Sequence, residues 1–410
     1  MAKYVGNFQS FTDVIKNGKP KVAQTGSTCR STTAGHTFVI NIRKIIYFLT
    51  PNISMTANTV VIAITKHGID IARRIMQKMP EVQAYAPIKY ADSSIRDVTW
   101  FKEQTAKLVA DLFKKNDALI CIFSLGAVIR LIAPLIVDKK TDPAVIVIDD
   151  KAHFVISALS GHLGGANSLA RVVSSFFEDC QPVITTAADV NETIAVDLLG
   201  REFSWTIDNF ENVTRVSAFM VNEEKIGVYQ ETGEKEWWHN RTLPGNVTVV
   251  TKLADLKSSD FKAALIISDR IIEDQVLLEK SVIYRPKSLV VGVGLHRDTS
   301  TDAIKYGVEN TMKNQGLSFN SIRNISSINR EANVKGLQDF SSRYKIPVEV
   351  YDRNQLSTVP VPNPSETVQM FEGTPSVSEA SSILSAKGDL IVPKQKFPPD
   401  LTVAVARVRF

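Results

Sequence analysis

The chain has 410 residues, of which 44% are hydrophobic and 22% are charged. This composition suits an ordinary globular protein of two or three domains, and it excludes a wholly disordered chain, a collagen and a disulfide-rich miniprotein. The net charge of +5 comes from residues 1–54, which hold seven basic side chains and one acidic one, whereas the rest holds 41 basic and 42 acidic. We therefore expect no nucleic-acid partner. We also expect no membrane span, because no stretch reaches about 18 uncharged apolar residues.

Residues 1–54 show no lasting amphipathic period, so we expect a poorly structured N-terminal extension. A transit peptide is one interpretation of its basic, acid-poor composition. The simpler interpretation is an over-called start, because the β-branched run Thr59–Thr65 follows soon after Met55. The chain's cysteines, Cys29, Cys121 and Cys180, show no metal-binding spacing and indicate a reducing, cytoplasmic location.

From Thr59 onward, apolar runs alternate with segments of helical periodicity. In the first domain, residues 55–200, the patterns predict strands at 59–65, 118–123, 144–148, 154–157 and 182–185, and helices at 67–79, 100–113 and 164–177. A turn at Asp149–Asp150 predicts a hairpin. Strands separated by helices of this length are typical of a layered α/β domain with a mostly parallel sheet.

Two further segments repeat the pattern. The middle domain, residues 201–286, is expected to hold a helix at 210–220 and strands at 226–229, 247–250 and 264–267. The C-terminal domain, residues 287–410, is expected to hold strands at 288–293, 348–351, 389–392 and 402–407, and helices at 300–315, 334–344 and 376–384. The predicted fold is α/β, with three compact units whose sheets are mostly parallel.

Two polar loops follow predicted strands of the first domain. In the segment 124–130, Ser124 is expected to cap a helix whose N-terminal amides face an anionic group. Arg130 is expected to pair with a carboxylate of a ligand. An ordinary helix start with a surface arginine is an equally good interpretation. In the segment 138–143, two lysines lie between two aspartates. That pattern is usually a solvated loop, and its functional interpretation is carboxylate binding.

The segment 157–167 (SALSGHLGGAN) is the most unusual of the chain. Its glycines permit a close backbone approach to a ligand, and His162 is a natural general acid or base. The structural alternative is a histidine that binds turn carbonyls, and the flanking glycines favour a site.

The segment 292–300 (GVGLHRDTS) begins like a dinucleotide fingerprint, but Arg297 replaces the third glycine, so nicotinamide binding is a distant possibility. The segment is instead typical of a strand-to-helix loop with an N-cap between Asp298 and Ser300. His296 and Arg297 would then face a ligand. The prolyl loops 362–366 and 392–396 are candidates to join them.

These segments resemble one family. LIAPLIVDKKTDPAVIVID (131–149), SGHLGGAN (160–167), PVITTAADVN (182–191), LVVGVGLHRDTS (289–300), PNPSETV (362–368), GTPSVSEA (373–380) and LIVPKQK (390–396) are similar to the CbiG family of cobalamin biosynthesis. The resemblance extends from about Thr59 to Arg407 in family order. Leu295, His296 and Asp298 depart from the family pattern, whereas Arg297 and Thr299 fit it better.

The resemblance implies a cobalt-precorrin-5A hydrolase. Such an enzyme opens a δ-lactone on a cobalt-bearing tetrapyrrole and releases acetaldehyde, giving cobalt-precorrin-5B. The resemblance implies that His162 is the general base. It also implies that Asn167 and the amides near Gly164 and Gly165 act on the lactone oxygen. Asp142 either orients the base or caps a turn. The implied substrate-binding residues are Arg130, Lys139, Lys140, Ser160, Gly161, Gly164, Gly165, Arg297, Thr299, Asn363, Ser365, Lys394 and Lys396.

The cobalt arrives with the substrate, so we expect no cofactor and no protein metal site. A homodimer, or contact with other enzymes of the pathway, is an open possibility. The competing interpretation is a protein that carries a corrinoid intermediate without hydrolysing it.

Overall fold

The computed structural model describes residues 58–239, 242–330 and 334–410, and in addition the backbone of residues 24–25, 28–33 and 36–41. The chain divides into two units, residues 1–57 and 58–410. In the first unit, β1 (Gln24–Thr25), β2 (Thr28–Thr33) and β3 (His36–Asn41) pair as an antiparallel sheet, which the sequence did not predict. The remainder of the expected poorly structured extension, and the proposed start at Met55, lie outside the described residues.

The first domain of the second unit is an α/β layer around a seven-stranded sheet. Its strand order is β10-β9-β8-β7-β4-β5-β6, with β9 antiparallel to β8 and β4 to β8 parallel. The predicted hairpin and mostly parallel sheet are confirmed. The elements are β4 (Thr59–Ala63), α1 (Lys66–Lys78), β5 (Gln83–Pro87), β6 (Val98–Phe101), α2 (Thr105–Lys115), β7 (Ala118–Ile122), α3 (Leu125–Ile132), β8 (Ala144–Ile148), β9 (Phe154–Leu159), α4 (Ala166–Ser174), β10 (Gln181–Val183) and α5 (Ala187–Val190).

The helix predicted at 100–113 is wrong at its start. Trp100 and Phe101 end the edge strand β6, and α2 begins only at Thr105. The strand is four residues long, and Val98 and Phe101 are buried at its two ends while Thr99 faces solvent. So short an edge strand leaves no clear period-2 signal. The neighbouring β5 was also missed, because its sequence QAYAP is short and holds no β-branched residue.

The middle domain is built on a five-stranded sheet in the order β11-β15-β14-β12-β13, parallel except for β11. Ile194, Val196 and Leu199 pack in its core, so apolar side chains that precede residue 201 belong to this domain. The elements are β11 (Thr206–Ile207), α6 (Val213–Val221), β12 (Ile226–Gln230), β13 (Val247–Val250), β14 (Ala263–Ile267), α7 (Gln275–Lys280) and β15 (Ser281–Arg285).

The C-terminal domain has a five-stranded sheet in the order β18-β17-β16-β20-β19, in which β20 is antiparallel to both β16 and β19. The elements are β16 (Leu289–Leu295), α8 (Thr301–Asn314), β17 (Ile322–Ile328), α9 (Lys335–Tyr344), β18 (Val348–Tyr351), α10 (Arg353–Ser357), α11 (Glu366–Glu372), α12 (Ser378–Ala386), β19 (Asp389–Phe397) and β20 (Leu401–Arg407).

Helices cover both faces of this sheet. Side chains of α8 and α9 pack against Val291 and Val293, whereas α12 lies on the other face, where a Cβ at Gly292 would come within 1.9 Å of the Ser378 carbonyl oxygen. Glycine at 292 is therefore required by the approach of α12. Side chains alternate between the faces of a strand, so this single strand organises both layers.

The middle and C-terminal domains meet through buried charge. The fully buried Asp269 follows β14, and its carboxylate accepts from the Ser288 hydroxyl at 2.8 Å and from Arg407 Nη2 at 2.7 Å. Ser288 precedes β16, and Arg407 ends the antiparallel β20. The carboxyl edge of the middle sheet thus contacts the amino edge of the C-terminal sheet. Within the part of the chain that the structure describes, no helix has the length and apolar character needed to cross a bilayer.

Candidate active site

The loop between β9 and α4 brings His162 between two carboxylates. His162 Nε2 lies 2.9 Å from Asp189 Oδ2, and its Nδ1 lies 3.4 Å from Asp197 Oδ1. Asp189 belongs to α5, and Asp197 lies in the segment that leads into the middle domain. We call His162, Asn167, Asp189 and Asp197 the histidine cluster.

The cluster favours the protonated form of the imidazole. The Asp197 carboxylate, assisted by Asp189, raises the pKa of His162 above its ordinary value of 6.5, and partial burial opposes the rise. Because both ring nitrogens face carboxylates, neither nitrogen is free to take a proton from water, as the predicted general-base role requires. The arrangement suits a proton donor better.

Asn167 is 4% exposed and binds two partners through one end of its amide. Its Nδ2 donates to Thr186 Oγ1 at 2.9 Å and to Asp189 Oδ2 at 2.8 Å. Its buried Oδ1 has no hydrogen-bond partner among the described residues. A Cβ at Gly161 would lie 2.6 Å from that oxygen, so glycine there leaves room beside an unused acceptor.

The backbone amides at the start of α4 are used within the loop. Gly165 N donates to the His162 carbonyl oxygen at 3.0 Å, and Asn167 N donates to that of Gly161 at 3.0 Å. The predicted role of the Gly165 amide as an oxyanion donor is therefore wrong in this conformation. Gly165 instead provides the left-handed turn (φ +88°) that starts the helix, while a Cβ at Gly164 would lie 2.4 Å from that of Ser160.

Asp142 caps its own turn, the second of the two predicted alternatives. Both of its carboxylate oxygens accept from the Val137 amide at 3.1 Å, and its carbonyl accepts from the Ser160 hydroxyl at 3.0 Å. Lys139 is exposed, and Lys140 Nζ lies 4.1 Å from the centre of the Phe210 ring, across the contact with the middle domain. The carboxylates that orient His162 are Asp189 and Asp197.

Arg130 and His162 lie at opposite edges of the first sheet. Arg130 follows the carboxyl end of β7, whereas antiparallel β9 returns the His162 loop to the amino end of β8, with Leu159 opposite Val145. A five-residue strand separates these edges by about 17 Å. Arg130 Nη1 donates to the Gly126 carbonyl of its own helix at 3.1 Å, and the Ser124 hydroxyl accepts no capping bond. The two predicted loops do not form one site.

Other predicted residues meet in a cavity of about 730 Å³ at the carboxyl edge of the C-terminal sheet. We call it the C-terminal cavity. The predicted residues that line it are His296, Arg297, Ser365, Lys394 and Lys396, and the lining residues that the sequence did not predict include Arg330, Phe371, Glu372 and Phe397.

Thr299 and Asn363 support the walls of this cavity. Thr299 is 1% exposed and its hydroxyl accepts from the His296 amide at 3.0 Å, so its predicted contact with substrate is wrong. Asn363 Nδ2 and the Lys394 amide both donate to Oε1 of the fully buried Glu379, at 2.8 and 3.0 Å. Lys394 Nζ donates to the Asn363 carbonyl at 2.7 Å, which joins the two prolyl loops.

The sequence missed Asp189, Asp197 and Thr186. Asp189 and Thr186 lie within residues 182–191, one of the segments that carried the resemblance, so that segment was the available signal. No feature of the sequence indicated Asp197, because only the path of the segment that leads into the middle domain brings this residue to His162. Among residues 58–239, 242–330 and 334–410, no group of three or more His, Cys, Asp or Glu side chains is disposed to hold a metal ion.

Comparison with known proteins gives the family. Three family models match consecutive parts of the chain: Cobalamin synthesis G N-terminal at residues 107–189, Cobalamin biosynthesis central region at 194–286 and Cobalamin synthesis G C-terminus at 289–406. The Cobalt-precorrin-5A hydrolase of Priestia megaterium is 39% identical over 87% of this chain and 97% of its own length. That of Salmonella typhimurium is 28% identical over 80% and 92%.

Among solved structures, CobE, a protein from the cobalamin biosynthetic pathway, is 24% identical and covers 30% of this chain and 92% of its own, with a TM-score of 0.29, too low to relate the folds. The chain belongs to the CbiG family of cobalamin biosynthesis.

Proposed function

We propose that this chain is a cobalt-precorrin-5A hydrolase. The observation that carries the proposal is its 39% identity, over 97% of the relative's length, to a protein of that name. The histidine cluster supports it, because a histidine held between two carboxylates, beside an unused amide oxygen, supplies the proton-transfer groups that lactone opening needs.

The proposed reaction consumes one water. Its oxygen attacks the lactone carbonyl, the ring oxygen leaves with a proton, and an acetate and an alcohol result. The alcohol then loses its proton while the carbon–carbon bond that joins it to the macrocycle breaks. The two-carbon fragment leaves as acetaldehyde. The electron pair of the broken bond stays on the macrocycle, which takes up a proton. The product is cobalt-precorrin-5B.

We assign the proton donor to His162. Its protonated ring stabilises the oxyanion that forms at the lactone carbonyl and then delivers a proton to the leaving oxygen. Asp189 holds the ring through the shorter contact, 2.9 Å, and is itself fixed by Asn167 and by Arg171 Nη2 at 3.1 Å. Asp197, whose contact with the ring is longer at 3.4 Å, is the group that we assign to take the proton from water.

The proposal includes no resident cofactor, since the cobalt belongs to the substrate. The partner is a tetrapyrrole, and nucleic acid and membrane have no part in the reaction. A cytoplasmic location and a homodimer or pathway complex stay predictions.

Acetaldehyde release from cobalt-precorrin-5A tests the proposal directly. The purified chain is incubated anaerobically with the substrate, and acetaldehyde is quantified with alcohol dehydrogenase and NADH. Stoichiometric acetaldehyde is the expected result. Tight binding of the tetrapyrrole without acetaldehyde would instead identify a carrier and overturn the hydrolase assignment.

A further inference from the structure

The C-terminal cavity opens where the direction of the third sheet's winding reverses. From β16 the chain continues through α8 to β17 and through α9 to β18, whereas the later strand β20 lies on the other side of β16. The helices α8 and α9 cover one face, and α12 covers the other. A crevice at the carboxyl ends of strands at such a reversal is the usual ligand site of open α/β sheets.

Three of the cations at this cavity have no acidic partner among the described residues; one of them, Lys394, donates from Nζ to the Asn363 carbonyl instead. Arg297 and Lys396 are exposed, and neither takes part in an ion pair among the described residues. The acids nearby are largely occupied: Glu372 pairs with Arg330 at 2.5 Å, and Asp400 accepts from the Thr299 hydroxyl at 3.1 Å. Exposed Asp298 remains as the one lining carboxylate without a described partner. The lining residues carry four basic side chains and three acidic ones, a net charge of +1, so the cavity favours anions.

Apolar surface lies beside these cations. Phe371 lines the cavity and is 71% exposed, and Phe397 lines it as well, with its ring edge-on to Tyr306. A large aromatic side chain on a short surface helix, next to unpaired cations, suits a ligand that is flat and apolar at its centre and anionic at its rim. The volume of about 730 Å³ is within the range of small-molecule sites.

We propose that the C-terminal cavity is a tetrapyrrole-binding site distinct from the histidine cluster. Phe371 and Phe397 contact the macrocycle, and Arg297 and Lys396 bind its peripheral carboxylates. The tetrapyrrole identity of the ligand rests on the proposed function, whereas the anionic, planar chemistry rests on the cavity itself.

The position of the cavity makes it a second site. The middle domain contacts the amino edge of the third sheet through Ser288 and Arg407, and the cavity lies at the carboxyl edge, about 20 Å further along the seven-residue β16. His162 contacts Asp197, whose neighbour Val196 accepts from the Tyr284 hydroxyl at 2.7 Å near the carboxyl end of β15. That end of the middle sheet faces the amino edge of the third sheet, opposite to the edge that holds the cavity. A macrocycle in the cavity is therefore held apart from His162 of the same chain, as substrate before the reaction or product after it.

Binding of uroporphyrin III, a stable polycarboxylated tetrapyrrole, tests the site. Fluorescence titration of the full chain is expected to show saturable binding. The double substitution Arg297→Glu/Lys396→Glu should weaken this binding by roughly tenfold or more, because two charge-assisted contacts become repulsive. Phe371→Ser should weaken it by about threefold to tenfold, through lost apolar contact.

Two controls isolate the cavity. Lys102→Glu/Lys107→Glu makes the same change of net charge at exposed lysines of the first domain and should leave the affinity unchanged. His162→Ala should weaken binding less than the cavity variant does, because the two sites are separate. The proposal is overturned if the full chain does not bind uroporphyrin, if the cavity variant binds as tightly as the lysine control, or if His162→Ala weakens binding as much as the cavity variant does.

The two proposals fail in different ways. A chain that releases acetaldehyde but binds uroporphyrin independently of Arg297, Lys396 and Phe371 retains its function and loses the second site. A chain that binds uroporphyrin through these residues and releases no acetaldehyde retains the site and loses the proposed function.

Discussion

The histidine cluster and the C-terminal cavity use polar residues in opposite ways. Around His162 the polar side chains pair with one another. Asp189 accepts hydrogen bonds from three of them, His162, Asn167 and Arg171. At the cavity, Arg297 and Lys396 stay exposed, and the buried Glu379 lies behind the wall. Groups that must transfer protons need fixed partners that set their pKa, whereas groups that bind a carboxylate rim need only to be held near it.

Removal of the imidazole should have the largest effect. His162→Ala is expected to lower the rate of acetaldehyde release at least a hundredfold, because it removes the proposed proton donor. His67→Ala is the matched control, since His67 also pairs with an aspartate, at 3.1 Å, but its side chain is 79% exposed. Circular dichroism checks that both variants fold. A turnover of His162→Ala close to that of the control would move catalysis away from the histidine cluster.

Removal of the buried carboxylate behind the cavity should mainly reduce stability. Glu379→Ala leaves the amides of Asn363 and Lys394 without their acceptor, and we expect the free energy of unfolding in urea to fall by about 2–3 kcal/mol. Uroporphyrin affinity should fall with it. The exposed Glu309→Ala should change the free energy by less than about 0.5 kcal/mol. Equal stability of the two variants would show that Glu379 does not support the cavity wall.

The smallest expected effect is the pH dependence of stability that His162 contributes. Its carboxylate partners raise the pKa of the folded state above 6.5, so this contribution is complete below about pH 6.5 and is lost as the pH rises through the raised pKa. The stability difference between the natural chain and Asp197→Asn should therefore shrink from about pH 6 to about pH 9. Urea unfolding at several pH values measures it. A difference that is constant with pH would contradict the raised pKa.

Much of the fold could be predicted from the sequence because its buried strands are long apolar runs. Residues 118–123, 144–148 and 247–250 were predicted as strands within one residue of β7, β8 and β13. The short strand β5 and the edge strand β6 were missed, as was β17, an interior strand that contains buried serines and an asparagine and therefore has a polar sequence. In β17, Asn324 and Ser326 are buried because they hydrogen-bond to serines of α12.

The candidate sites were predicted residue by residue but not as groups. His162 and Asn167 both contact Asp189, and Arg297, Ser365, Lys394 and Lys396 line one cavity. Arg130 was predicted to bind the same substrate as His162, yet the two residues lie at opposite edges of the sheet, because β9 runs antiparallel to β8. The turn at Asp149–Asp150 predicted this hairpin, but the edge of the sheet that the 157–167 loop reaches also depends on how β8 pairs with β7, another segment of the chain.

The sequence by itself determined the α/β class, the mostly parallel sheets and the segments that carry the family resemblance, because each depends on local periodicity and residue type. Only the tertiary structure decided that Asp189 and Asp197 enclose His162, that Asp142 and Thr299 serve their own loops, and that the basic residues of the C-terminal loops share a cavity apart from the histidine. Hydrogen bonds and ion pairs of this kind join residues far apart in sequence, and they exist only once the chain has brought them within about 3 Å of each other.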